Sequence, residues 1–404
     1  LTPDPSTASR ERPTLRIAMV NSAVDRDIEN ADALVARYYE TKEWADALAD
    51  AGGGSVAVVQ RFRRDFVERR SAVDYHFVAA PAFSLSLWAS RVVRTLRELN
   101  ADVVHVDGLV FPFLVRHLRM ALPKRTALVV QDHGGIHAGS PGFARCRWRT
   151  LHRMGLRAAD AFFFTSREQA APWQSAGIIG ASQTVHEVPE CSSVLWTTAG
   201  APAGHHTLPG RPALLWVGRL NANKDPFTIL EGFEQVARAL PDAALTLVYG
   251  ENDLLGEVMS KIAASSLLRS RVHLRGRVPH REMPGLYGGA DLFVLGSHHE
   301  AASISLIEAL SFGVTPIVTD IPAFRAIVSG GRVGGLFPPG SPSEFARAVM
   351  RLSVDFAARR PIVRGYFERE LSWPVVARKA LAGYQAAADD RCKRAALRWR
   401  DAVR

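Results

Sequence analysis

The chain has 404 residues, 47% of them hydrophobic and 22% charged, with a formal net charge of +10. That length fits two domains of ordinary size, and the composition is that of a globular protein, not a disordered or fibrous one. No apolar run is long enough to span a bilayer, and with no zinc-finger spacing, RNP motif or basic–aromatic array, nucleic acid is set aside as a partner.

Residues 1–13 are polar, contain Pro and carry no apolar h-region, so they are expected to be a disordered lead-in and the protein to stay in the cytoplasm. Strand patterns follow at Leu15–Val20, Ser55–Val59, Tyr75–Val78, Asp102–Val106, Ala127–Val130 and Ala161–Phe164, with helical stretches at Asp32–Ala51, Leu85–Leu99 and Cys146–Ala158. Alternation of this kind predicts a parallel sheet covered by helices on both faces. Residues 197–212, rich in Gly, Pro, Ala and Thr, break the pattern and read as a linker between a first domain at 14–196 and a second at 213–372. The alternation restarts with strands at Ala213–Val217, Ala244–Tyr249, Arg271–Leu274, Asp291–Leu295 and Thr315–Val318. Helices are expected at Pro226–Leu240, Leu254–Ser265, Ser305–Phe312 and Pro342–Leu352, and the Ala-rich, charged stretch 373–404 is a terminal helical segment. The fold class is therefore α/β, with two Rossmann-like domains facing each other across a cleft. Ligands bind at the C-terminal strand ends of such sheets.

Three pieces of the second half carry chemistry. In VGRLNANKDPF (217–227), Arg219 and Lys224 stand in the turn between a strand and a helix, where Asn223 or Asp225 can cap and Pro226 suits the first turn. Two cations beside a helix N-terminus suit a diphosphate, although solvated surface cations would look the same. In HHEAASISLIEALSFG (298–313), Glu300 precedes a helix and Glu308 lies inside it, with Ser303 and Ser305 as candidate N-caps. Glu300 could accept sugar hydroxyls and Glu308 ribose hydroxyls, but Ser305-Leu306-Ile307-Glu308 also spells a capping box. Gly250, directly after a strand, lets backbone approach a ligand.

On these residues, 212–340 resembles the donor-binding domain of family 4 glycosyltransferases, retaining enzymes of the GT-B fold. The GRL-three-residues-Lys turn and the Glu-seven-residues-Glu motif occur in order, with LRGRVPHREMPGLYGGADLFVLGS between them. The tail ELSWPVVARKALAGY is similar to the family's terminal helix, which crosses back onto the first domain. The resemblance implies catalytic roles for His133, Glu300, Arg219 and Lys224. Arg219 and Lys224 would neutralise the departing diphosphate, Glu300 would sit by the sugar, and Glu308 would bind the ribose. Gly218 and Gly250 would line the donor site, backbone N–H groups of Ser303, Ile304, Ser305 and Leu306 would hold sugar and phosphates, and the base would lie near Arg277 and Val278. VVQDHGG (129–135) matches the family's strand ending in a histidine, which would place His133 against the sugar and β-phosphate.

Three departures qualify the match. Ser303 replaces the family's common glycine, NSAVDRD (21–27) stands in place of a glycine pair, and PECSS (189–193) replaces Pro-Asn-Gly. Asp25-Arg26-Asp27 spells Asp-x-Asp, but in the wrong fold and position for a metal. Cys146, Cys191 and Cys392 show neither metal-ligand spacing nor a disulfide framework and are expected to be free thiols. The implied protein is a retaining hexosyltransferase that needs neither metal nor cofactor and takes a UDP- or GDP-linked sugar to a hydroxyl acceptor left unidentified. The alternatives are an epimerase, a phosphorylase or a non-catalytic nucleotide-sugar-binding relative. The positive charge favours anionic partners. LSLWASRVVRTLR (85–97), mixing Trp88 with arginines, is either an ordinary amphipathic helix or a peripheral contact with the anionic inner face of a membrane.

Overall fold

The computed structural model describes residues 14–23, 27–79, 85–134, 146–195 and 208–403. The lead-in, most of the linker, Asp25, Arg26 and the side chain of Cys146 lie outside the described residues.

The first half forms an eight-stranded sheet from β1 (Arg16–Asn21), β2 (Ser55–Phe62), β3 (Phe66–Arg70), β4 (Val73–Ala79), β5 (Val103–Asp107), β6 (Ala127–Gln131), β7 (Ala161–Phe164) and β8 (Thr184–Glu187), in the order β3-β4-β2-β1-β5-β6-β7-β8. Every described pairing is parallel except β3 against β4. The second half forms a parallel six-stranded sheet from β9 (Ala213–Gly218), β10 (Ala244–Tyr249), β11 (Val272–Gly276), β12 (Leu292–Leu295), β13 (Thr315–Thr319) and β14 (Gly335–Phe337), in the order β11-β10-β9-β12-β13-β14. The central strands are continuous apolar runs because helices bury both of their faces. Each sheet reverses its strand order beside its first strand, β1 between β2 and β5, and β9 between β10 and β12. These are the switch points at which α/β sheets open crevices for ligands.

Edge strands β3, β8 and β14 escape a search for apolar runs. The first two are polar and half-exposed, and β14 has three residues. The helix expected over Asp32–Ala51 is two helices, Ala31–Arg37 and Tyr39–Asp50, parted at Tyr38, whose backbone (φ −111°, ψ 48°) is not helical. Trp88 is fully buried in the first domain's core with Val92 and Leu96, so the apolar face of helix Leu85–Glu98 is core and is not free to meet a membrane.

The terminal helix Trp373–Val403 buries Trp373, Val376, Ala380 and Tyr384 in the core of the first domain. Gly383 permits the approach, because a Cβ there would lie 2.6 Å from the Phe163 ring on β7. Leu371, two residues before the helix, still belongs to the second core, and its carbonyl accepts a hydrogen bond from Ser192 Oγ at 2.5 Å. The chain thus crosses between the domains twice within one small region.

Candidate active site

The C-terminal ends of β9, β10 and β12 open on a cleft of about 770 Å³ that faces the first domain. Gly218 ends β9, and the turn beyond it carries Arg219 and Lys224. Asp225 caps helix Pro226–Ala239 by accepting from the Thr228 N–H, and Pro226 occupies the first turn, where its missing N–H costs nothing. Asn223 ties this turn to the loop after β12. Its Nδ2 donates to the His299 carbonyl at 2.9 Å, and its Oδ1 accepts from the His299 N–H at 3.1 Å. The two sequence motifs are therefore one structural unit.

Lys224 Nζ lies 2.6 Å from Glu300 Oε1, and both side chains are nearly buried. Arg219 is exposed, with its guanidinium 3.6 Å from Glu251 Oε2. Helix Ile304–Ser311 points its N-terminus at this pair, with Ser303 as N-cap. The Leu306 N–H is taken by Ser303 Oγ, and the Leu306 side chain is fully buried in the core. Leu306 therefore does not face the cleft, and its N–H is not offered to a ligand, contrary to expectation. The Ile304 and Ser305 N–H groups precede the first intrahelical bond and keep their dipoles directed into the cleft. Ser305 does not cap either, because its Oγ donates to the Val217 carbonyl at 3.0 Å.

Glu308 is buried, and it is not the third residue of a capping box. Tyr287 donates to Oε2 at 2.7 Å, and His280 Nε2 lies 2.8 Å from Oε1. That carboxylate holds the His280 imidazolium above the usual histidine value, against its partial burial. A carboxylate has about four lone-pair directions, so Glu308 keeps acceptor capacity on its cleft side. Gly250, Arg277 and Val278 line the far end, where a Cβ on Gly250 would sit 3.5 Å from the Arg277 guanidinium.

His133 follows β6 and faces this constellation from the first domain. Its Nδ1 lies 2.8 Å from Glu190 Oε2 and its Nε2 3.7 Å from Asp107 Oδ1. Burial works against the charge, but the two carboxylates outweigh it and hold the imidazolium well above the usual histidine value. Asp107 in turn lies 3.1 Å from Nε2 of the fully buried His105, whose Nδ1 is 2.5 Å from the Tyr384 hydroxyl on the terminal helix. His105, Asp107 and His133 are also the group with metal-ligand spacing found among the described residues. His133 makes its closer contact with Glu190, while its Nε2 is turned toward Asp107 at ion-pair distance. Residue reasoning did not find Glu190, Asp107 or Tyr384 as site residues. A carboxylate within the PECSS replacement was the signal available for Glu190.

Beside His133 the first domain opens a second pocket of about 390 Å³, with Asn21 at the end of β1, Asp107 at the end of β5, and the 108–111 turn on its wall. His133, Glu190 and Ile304 line both pockets and form the passage between them. Two contacts hold the domains in this relation. Gln169 Nε2 donates to the carbonyls of Glu300 and Ala301, each at 3.0 Å, and Gly134 packs so close that a Cβ there would lie 3.1 Å from that of Ala301.

Two Rossmann-like domains with their switch points on one shared cleft are the architecture of GT-B glycosyltransferases. Residues 41–185 match Glycosyltransferase Family 4, and residues 204–362 match Glycosyl transferases group 1. The chain belongs to the family 4 glycosyltransferases. It is 28% identical over 277 residues to a GDP-mannose:cellobiosyl-diphosphopolyprenol alpha-mannosyltransferase from Xanthomonas oryzae, covering 67% of this chain and 70% of that protein. It is 26% identical to an alpha-D-kanosaminyltransferase from Streptomyces kanamyceticus, covering 70% and 75% of the two chains. Among solved structures, sucrose-phosphate synthase from Thermosynechococcus elongatus superposes with a TM-score of 0.65 at 19% identity, over 92% of this chain and 98% of that one. A protein from Anabaena in complex with UDP-glucose superposes with a TM-score of 0.64 at 15% identity, over 92% and 100%.

Proposed function

We propose that the protein transfers a hexose from a UDP- or GDP-linked donor to an acceptor hydroxyl, with retention of anomeric configuration and without a metal. The observation that carries this is the convergence of Lys224, Glu300 and the N-terminus of helix Ile304–Ser311 at one point of the cleft, opposite the charged His133. The donor diphosphate fits beside Lys224, Arg219 and the Ile304 and Ser305 N–H groups. The ribose fits beside Glu308, and the base beside Arg277 and Val278. The acceptor reaches the sugar through the first-domain pocket and the His133 passage.

The bond from the anomeric carbon to the β-phosphate oxygen breaks, and its electron pair leaves with the nucleoside diphosphate. The acceptor oxygen forms the new bond on the same face, and its proton passes to the departing phosphate. Glu300 is engaged with Lys224 and is not a free nucleophile. Catalysis is then electrostatic, directed at charge developing on the leaving group. His133, whose imidazolium is favoured by Glu190 at 2.8 Å and by the Asp107 charge, serves as a donor to the sugar and β-phosphate and not as the base. Lys224 and the fixed helix dipole supply the positive charge that a divalent cation supplies in other transferases. The free thiols, buried Cys191 and exposed Cys392, fit a reducing cytoplasm.

A thermal-shift screen against UDP-, GDP-, ADP- and dTDP-sugars tests the donor. A raised melting temperature with one nucleotide is expected, and none with any of them sinks the reading. NMR of the product with the identified donor reads the anomeric configuration. EDTA is expected to leave the rate unchanged, whereas loss of activity restored by Mg²⁺ or Mn²⁺ overturns metal independence.

A further inference from the structure

Between Gly108 and Ala159 the sequence holds nine arginines and lysines and a single carboxylate, Asp132, which lines the acceptor-side pocket. Two helices of this stretch, Pro112–Ala121 and Cys146–Leu156, contain no acidic residue. They cross in direct contact, with Gly155 so close that a Cβ there would meet the backbone of Pro112 at 2.2 Å. Both bury their inner faces in the same core layer, through Leu114, Val115 and Leu118 from one helix and Leu156 from the other. Their outer faces therefore lie side by side.

Those outer faces are not an ordinary solvated surface. Phe113 is 63% exposed, Met120 67%, Trp148 47% and Met154 52%, four of the nine exposed large hydrophobics of the described chain on two short helices. Arg116, Arg149 and Arg153 stand exposed among them. Phe113, Arg116 and Met120 follow at three- and four-residue intervals, so they form one stripe on their helix. Large apolar side chains interleaved with cations that no acid accompanies suit an interface in which the cations meet lipid phosphates and the apolar groups enter the acyl boundary. A nucleic acid would satisfy the arginines but not the methionines. The position also bears on function. Phe111 lines the acceptor-side pocket and directly precedes the helix that carries Phe113.

We infer that this helix pair is a docking surface for an anionic bilayer, which brings the mouth of the acceptor-side pocket to the membrane. The surface rests on its own side chains, independently of the donor reading. Its link to the acceptor rests on the assignment of the first-domain pocket made above.

The test is co-sedimentation of the full chain with vesicles of phosphatidylcholine alone and of phosphatidylcholine mixed equally with phosphatidylglycerol. Binding to the mixed vesicles only, weakening as salt is added, is expected. The triple variant Arg116→Ala, Arg149→Ala, Arg153→Ala should lower partition on the order of 100-fold, taking roughly a fivefold loss per cation. Phe113→Ser with Met120→Ser should abolish binding at moderate salt. Val354→Ser with Ile362→Ser, well exposed too but in the second domain, should leave it unchanged, and melting temperatures confirm that each variant is folded. Equal binding to neutral vesicles, no effect of the triple variant, tighter retention on single-stranded DNA, or concentration-dependent dimers lost in the Phe113 variant would each overturn the inference. Thermal shifts with nucleotide sugars should be the same in these variants, so failure here is distinct from failure of the donor site.

Discussion

Lys224 reaches the cleft already neutralised, 2.6 Å from Glu300 in a nearly buried pair. On the function proposed above, a diphosphate shares that ammonium, and its charge matters most as the glycosidic bond breaks. Lys224→Ala should lower kcat by roughly 100- to 1000-fold, the cost of one transition-state contact. It also strands the Glu300 carboxylate, so a destabilisation of about 3–5 kcal/mol is expected with it. Arg219 separates the two effects. It is exposed, and Arg219→Ala should change stability by no more than about 0.5 kcal/mol while still lowering kcat. Stopped-flow rates and melting curves on both variants check this, and unchanged rates in both would remove the diphosphate from this turn. His133 makes a prediction about pH. Its folded pKa is raised, so the imidazolium persists through neutrality, and the pH–rate profile should show no fall near 6.5. Glu190→Gln removes the nearer carboxylate, and the histidine should then lose its proton at lower pH. The variant's rate should decline as pH rises through the neutral range where the wild type is flat. A flat profile in the variant would mean that the charge on His133 is not used.

At the scale of elements, the terminal helix is a strap from the second domain onto the first. At its start, Trp373 Nε1 donates to Glu43 Oε2 at 3.1 Å on helix Tyr39–Asp50. Burial pushes the Glu43 carboxyl up to about 7, despite that donor. The folded state thus holds this proton more tightly than the unfolded chain. Folding stability should fall as pH rises from about 4.5 to about 7 and level off above. Glu43→Gln should flatten that slope, raising the melting temperature at pH 8 more than at pH 5. A slope unchanged in the variant would place the titrating group elsewhere. Further along the strap, the Tyr384 hydroxyl touches both His105 and Trp44. The element that closes the fold also supports the carboxylate next to His133.

On the scale of the whole molecule, the site exists only while the two sheets face each other. Gln169, on helix Arg167–Ser175 of the first domain, grips the two carbonyls of the loop that carries Glu300. Arg325 adds an exposed ion pair with Glu168, which contributes little by itself. Gln169→Ala removes both hydrogen bonds to those carbonyls and a third, in which Gln169 Oε1 accepts from the Ser166 N–H at 2.8 Å in the capping box of its own helix, each worth roughly 0.5–1.5 kcal/mol. The catalytic rate should fall several-fold or more, with the melting temperature lowered by several degrees and a larger radius of gyration in small-angle X-ray scattering. A normal rate with an expanded molecule would show that this closure is not needed for turnover.

The alternation of strands and helices, the division into two Rossmann-like domains and the two motifs that meet in the cleft were legible in the sequence. Those features are local. Apolar periodicity sets each central strand, and the GRL turn and the Glu motif each hang on a single strand-to-helix junction whose geometry a few neighbouring residues fix. Edge strands β3 and β8 were illegible because they bury too little to be apolar, and β14 because three residues are too few for a pattern. Which polar groups meet is not legible in any stretch of the sequence. The pairing of Lys224 with Glu300 crosses 76 positions, as the Asn223 bridge to His299 does. Tyr384 meets His105 across 279, and Ser303, not Ser305, caps the helix because the Ser305 hydroxyl goes to Val217 on β9. The charge on His133 and the burial of Trp88 likewise follow from which surfaces pack together. Packing is settled by the competition of all the apolar faces for one core, and no window of sequence contains that competition.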